Sequence, residues 1–225
     1  MVALDLNEPE ARVIGCLIEK QKTTPQYYPL TLNALVSACN QSSNRHPVVS
    51  YDDSVVQDAL VSLRERGLTR IVYSTSNRAT KYRHVLDEVL EIDDRELAVL
   101  DVLMLRGPQT VGELRTRTER LAEFSSLGEV EATLEGLARR DEPLVVRIER
   151  QPGQKEARYA HLLAGAPVMP EGGFPAAAAA REQEPRSDRG DRGDRIAAVE
   201  VEVAELRDEV AKLRAELEEL RALWT

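Results

Sequence analysis

The sequence predicts a mainly α protein with small β-hairpins, arranged as two tandem winged helix-turn-helix domains followed by a C-terminal coiled-coil helix. Three observations carry this. Apolar residues recur three and four apart in successive segments up to residue 138, which is the period of a helix face. Each group of such segments gives way to two short stretches of period two, the mark of paired strands. Finally, residues 196–225 hold an unbroken heptad pattern. The expected organisation is a first winged helix over 1–90, a second over 91–165, a disordered linker over 166–195 and a coiled-coil helix over 196–225.

The first helix is expected over Pro9 to Lys20, where Val13, Ile14, Leu17 and Ile18 share a face. Thr31 is a suitable N-cap for a second helix that turns Leu32, Leu35, Val36 and Cys39 inward, and Pro29 discourages an earlier start. A third helix begins between Ser50 and Asp53, carries Val56, Ala59, Leu60 and Leu63, and is stopped by Gly67. "LTRIVYS" and "KYRHVL" then form strands around the polar turn "TSNRAT". Three helices and a hairpin, in that order, make a winged helix.

The order recurs. Leu97, Leu100 and Met104 mark a helix ended near Gly107 and Pro108; Thr110 with Glu113 forms a capping box, and Ser126 with Glu129 repeats that signature before Val130, Leu134 and Leu137. "LVVRIER" and "RYAHLL" form the second hairpin. The hairpins end alike, Lys81-Tyr82-Arg83-His84 against Arg158-Tyr159-Ala160-His161, so one unit is used twice. In this reading His84, His161, Tyr82 and Tyr159 are residues of the repeat, not catalysts.

Beyond residue 165 Pro, Gly, Ala and charge dominate, with too few large apolar groups to offset the entropy of ordering. The two Arg-Gly-Asp triplets there are read as solvated charge. In the tail, Ile196, Val199, Val203, Leu206, Val210, Leu213, Leu217, Leu220 and Trp224 form an a/d seam. In a parallel dimer Arg195 faces Glu200, Glu202 faces Arg207, Glu209 faces Arg214 and Glu216 faces Arg221, all opposite in sign. An antiparallel pair sets like charges together. A parallel homodimer is therefore expected, the seam supplying affinity and the charges orientation.

Composition narrows the function classes. The 225 residues carry a net charge of −9, so no basic nucleic-acid footprint shows in the whole-chain balance. Cys16 and Cys39 lie far apart inside apolar helical patterns, as buried reduced thiols of a cytoplasmic protein do. No stretch reaches the roughly 20 apolar residues of a membrane span. There is no Gly-rich phosphate loop, nucleophile elbow or metal-ligand spacing. The expectation is a non-enzymatic protein with no cofactor and no metal.

The stretch "ACNQSSNRHP", residues 38–47, is rich in side chains that bond their own turn, and Pro47 pushes His46 toward an extended conformation. It also places Gln41, Asn44, Arg45 and His46 beside the third helix, where phosphates or base edges approach a bound winged helix. Together "EARVIGCLIEKQ" and "YYPLTLNALVSACNQSSNRHPVVSYDDSVVQDALVSLRERGL" closely resemble the YceH-like family of uncharacterised bacterial proteins, over about residues 5–163. The resemblance implies two winged helices in tandem and no established activity; the linker and heptad tail fall outside it. The family pattern has Lys at the position of Ser42 and Asp at that of His46, so a candidate phosphate contact is missing here.

Two functional readings remain open. In the first, a dimeric regulator binds duplex DNA, using the loop residues and the basic edge of the first wing, Arg70, Arg78, Lys81 and Arg83. In the second, the winged helices are protein-docking or scaffolding surfaces that do not bind DNA. That reading draws on Asp52, Asp53 and Asp58 around the start of one third helix and on Glu129, Glu131 and Glu135 along the other, all repelled by phosphate.

Overall fold

The computed structural model describes residues 4–74, 77–150 and 155–165, together with Val203, Val210 and Arg214; the side chains of residues 74, 77 and 78 are not among those described. Helix α1, Glu8–Thr23, opens with a reciprocal cap in which Asn7 Oδ1 accepts from the Glu10 amide and Glu10 Oε2 from the Asn7 amide, each at 2.9 Å. A single 3₁₀ turn, Pro25–Tyr27, leads to strand β1, Leu30–Thr31, and helix α2, Leu32–Cys39. Thr31 caps α2 as expected, accepting from the Ala34 amide at 3.3 Å. Helix α3, Asp53–Glu65, starts at its N-cap Asp52. It ends in a Schellman turn: Gly67 takes φ +73°, its amide bonds to Arg64 O, and the Leu68 amide bonds to Leu63 O.

Strands β2, Thr69–Ser74, and β3, Asn77–His84, form the expected antiparallel hairpin. The expected turn over 75–80 is too long, because Asn77–Thr80 already belong to β3. The expected end of the second strand is also displaced, since the short helix α4, Leu86–Leu90, begins immediately after Val85. Strand β1 joins the outer edge of β3, Leu30 opposite Tyr82, so the sheet has three strands in the order β1-β3-β2.

The second pass runs through α5 (Asp94–Arg106), α6 (Val111–Thr118), α7 (Leu127–Ala138), β4 (Val145–Ile148) and β5 (Arg158–His161). Its hydrogen bonds repeat those of the first. Val85 N bonds Leu68 O where Leu162 N bonds Leu144 O, and Leu68 N bonds Leu63 O where Leu144 N bonds Leu137 O. Gln109, just before the Thr110 cap, exchanges both backbone bonds with Tyr159, as Leu30 before Thr31 pairs with Tyr82. The Thr110–Glu113 capping box is present, whereas Ser126 accepts from Glu129 while the Glu129 carboxylate reaches one residue further, to the Ser125 amide. The result is a mainly helical body, with seven α-helices and two small antiparallel sheets among the described residues.

One apolar core runs through both halves, from Leu6 to Leu163. Helix α1 lies at its centre, buried continuously from Glu10 to Ile18, with α2 and α3 on one side and α5 on another. Close approach to α5 depends on Gly15: a Cβ there would stand 2.8 Å from Leu105 Cδ2. The segment before α1 closes the body by donating from the Leu6 amide to Leu163 O at 2.8 Å. Both Cys16 and Cys39 are buried free thiols. Among the described residues no helix is long and apolar enough to cross a membrane.

The expected linker over 166–195 lies outside the described residues. So do Ile196, Val199, Leu206, Leu213, Leu217, Leu220 and Trp224 of the proposed seam. Val203 and Val210, both a positions, are helical and expose 39% and 46% of their surface.

Candidate nucleic-acid interface

The loop between α2 and α3 is held from within. Asn40 closes its base with two bonds to one residue, its amide nitrogen donating to Tyr51 O at 2.7 Å and its oxygen accepting from the Tyr51 amide at 2.8 Å. Asn44 takes a left-handed φ of 59°, which an asparagine tolerates better than most residues, and its Oδ1 accepts from Arg106 at 2.6 Å. The His46 amide donates to Leu105 O at 2.8 Å, and the peptide bond that follows, to Pro47, is cis. Thus the loop grips the C-terminal end of α5 and fastens one half of the molecule to the other.

Arg45 departs from its expected place. Its side chain is buried, with no accessible surface, and turns inward instead of toward a phosphate. The guanidinium forks onto Glu19, at 3.0 Å to Oε1 and 2.6 Å to Oε2, and donates further to Ala38 O, Asn44 O and Gln41 Oε1. Gln41 is likewise engaged, accepting from Arg45 at 3.0 Å and from Lys20 at 3.5 Å. Of the four loop residues, Asn44 and His46 remain at the surface.

Behind Arg45 lies a cluster of buried ionisable groups. Burial alone would raise the Glu19 carboxyl, but the charge and hydrogen bonds of Arg45, with Lys20 and Arg106, hold it at about 2. Asp101 of α5 goes the other way: full burial, then the Glu19 charge, push its carboxyl well above the usual range, and its Oδ1 has no hydrogen-bond partner. Burial also opposes ionisation of Cys16, yet a hydrogen bond from Cys39 and the charge of Arg45 bring it down to about 7. Cys39, sharing its bond with Cys16 and buried, is raised.

Sequence reasoning missed this cluster. The signal was present, because Arg12, Cys16, Glu19 and Lys20 fall on adjoining stripes of α1 at helical spacing. What concealed it is that α1 is enclosed on nearly all sides, which only the docking of α5 brings about.

Of the four basic residues expected along the first hairpin, two are brought together at its base. Arg70 and Arg83 lie opposite each other on β2 and β3, and both reach the exposed Glu88 carboxylate, each at 3.0 Å. Lys81 is half-buried on the same strand, and the side chain of Arg78 lies outside those described. Near the hairpin tip Tyr73 is 85% exposed. On α3, Asp53 and Asp58 are exposed, as is 40% of Val61. On α7, Glu131 and Glu135 face solvent.

The matching histidines are held by the body of the fold. His84 is buried: its Nε2 lies 2.5 Å from Gln21 Oε1, and its amide donates to the Tyr28 hydroxyl at 2.9 Å. Burial lowers both His84 and His161 to about 4, so their rings are neutral at physiological pH.

Residues 6–154 match the family model described as "Protein of unknown function, DUF480". A UPF0502 protein of Pelobacter propionicus is 58% identical over 160 residues, 71% of this chain and 73% of its own length. The UPF0502 protein of Geobacter sulfurreducens is 50% identical over 204 residues, covering 89% of this chain and 90% of that protein, and a relative from Koribacter versatilis is 47% identical over 205 residues, 91% and 92%. Spans of that length run past residue 165, so similarity to relatives extends further than the resemblance read from residues 5–163. This chain belongs to the DUF480 family, alongside the UPF0502 proteins of bacteria.

Proposed function

We propose that the chain is a non-enzymatic tandem winged-helix regulator that acts as a parallel coiled-coil dimer and touches duplex DNA through its first wing. The observation that carries the reading is the three-helix-and-hairpin unit, used twice with equivalent hydrogen bonds, whose first hairpin bears the basic edge. Arg70 and Arg83 share one exposed carboxylate, a pairing worth little in water that a phosphate can displace. The exposed Tyr73 ring, further along β2 toward the turn, suits a groove wall or sugar edge. Arg45 is not part of the contact set. Because α3 presents carboxylates, the third helix does not enter the major groove in this reading.

A second reading is favoured by one observation, the exposed acidic face of α3 around Val61, which suits a basic protein partner better than DNA. Fluorescence anisotropy with a random duplex separates the two. The DNA reading expects binding that weakens with salt at a log–log slope of about −3 to −4 for the four basic side chains of the wing, each of Arg70→Ala and Arg83→Ala reducing that slope by roughly one. No binding at low ionic strength would remove it and leave the docking reading.

Dimerisation is checked separately by sedimentation. The heptad seam and the exposed a-position valines lead us to expect twice the chain mass at micromolar concentration, and a monomer there would exclude the coiled-coil dimer. Were a dimer to form, a linker of about 30 residues would span roughly 30 Å, comparable to one turn of DNA.

A further inference from the structure

Arg12, in the second turn of α1, is only 3% exposed. Its two terminal nitrogens each donate to a backbone carbonyl, Cys39 O at 3.3 Å and Pro47 O at 2.6 Å. No carboxylate forms an ion pair with it among the described residues. A guanidinium has five N–H donors, so these bonds leave donors over, and its charge is buried without a counter-ion. Glu10, two residues earlier, is instead taken by Arg66 and Ser62.

Beside Arg12 lies an open cleft of about 340 Å³. It sits on the seam between the halves: α1 and the α2–α3 loop contribute Arg12, His46 and Pro47, while Met104 near the end of α5 and His161 at the end of β5 come from the other side. The Nδ1 atom of His161 is shielded from solvent and has no hydrogen-bond partner. The lining is mixed, with Leu6, Ala11, Pro47 and Met104 apolar. Glu8 stands on the rim but is exposed, so water screens its charge far more than that of Arg12.

We propose that this cleft binds a small organic acid, its carboxylate held by Arg12 and its hydrocarbon body against Leu6, Pro47 and Met104, with the His161 ring in the wall beside it. Arg12 supplies the charge and the N–H donors that its two carbonyl bonds leave over. The mixed lining suits an organic acid, with one charged and one apolar end, better than a bare, strongly hydrated anion such as phosphate. Because the walls come from both halves, an occupied cleft favours their present mutual arrangement, a route by which a ligand regulates the body. The binding itself does not depend on the DNA reading, since it is measured on the protein alone.

The experiment follows histidine ring resonances of the full chain by NMR during titration with benzoate, hexanoate, neutral benzamide and inorganic phosphate. Saturable shifts of His161 and His46 with benzoate or hexanoate, and none with benzamide, are expected. Arg12→Gln should weaken carboxylate binding by about tenfold or more. Should that variant fail to fold, Ala164→Glu places a like charge on an exposed position of the lining and should abolish binding while the fold persists. The proposal is overturned by an absence of saturable shifts with either carboxylate at millimolar concentration. Equal response to benzamide, phosphate binding as tight as benzoate, or unchanged binding in folded Ala164→Glu would overturn it too.

Discussion

Arg45→Met is expected to destabilise the protein by about 3–5 kcal/mol, because it leaves Glu19 charged and buried with its fork of hydrogen bonds broken. A surface arginine of a DNA contact would cost almost nothing on replacement, so the size of the loss separates the two roles. Denaturant unfolding at neutral pH measures it. Adding Glu19→Gln should recover part of the loss, since the second substitution removes the orphaned charge. The effect also has a pH signature. Glu19 is held at about 2 in the folded chain against 4.5 unfolded, so the stability it contributes is present above about 4.5 and lost as pH falls toward 2. The gap between wild type and Arg45→Met should therefore narrow over that window. A gap independent of pH would show that the Arg45–Glu19 pair is not what the substitution breaks.

Leu100→Ala is expected to cost about 2–5 kcal/mol, and to do so in a single transition. Leu100 is fully buried in α5, within the core that α1 and α5 share. Where two winged helices are merely strung together, a cavity in the second lowers the stability of that half and splits the unfolding curve. Here α1 is enclosed by elements of both halves, and Gly15 admits Leu105 into contact with it, so neither half keeps its core without the other. Calorimetry gives the test: one endotherm shifted to lower temperature with calorimetric and van't Hoff enthalpies in agreement. Two resolved endotherms in the variant would mean that the halves are energetically independent.

Local signals were the legible part of the sequence. Thr31 and the Thr110–Glu113 pair start helices because a side-chain oxygen three residues from an amide satisfies it wherever the rest of the chain lies. Gly67 stops α3 for a similarly local reason, its tolerance of positive φ. The similarity of the two hairpin ends also carried through, down to the matched Tyr82 and Tyr159 pairings. What escaped was decided across long separations. The two-residue strand β1 has no periodicity of its own and exists because β3 offers an edge. The α4 turn competes with the last strand residues, and Leu86 is buried whichever conformation holds it.

Within the candidate site, the hairpin that sets Arg70 opposite Arg83 was readable from alternation and the inward turn of Arg45 was not. Arg45 follows five polar residues and precedes a histidine, a pattern that looks solvent-facing. Only the arrival of Glu19 from α1 makes an inward guanidinium favourable, and that acid lies 26 residues away in sequence. Asn44 and His46 were expected to look outward; they do, but their other bonds are to α5. The loop's polarity therefore serves an internal joint as well as a surface.

The pairing of Leu6 with Leu163 has a consequence for whatever is attached to this body. Asp5 Oδ1 lies only 3.6 Å from where a Cβ on Gly165 would stand, so the polypeptide leaves from nearly the same pole at which it entered. The body is close to a closed ring, and a short bridge from residue 165 back to residue 4 would circularise it with little rearrangement. Cargo joined at either side of residues 4–165 is thus delivered to one pole.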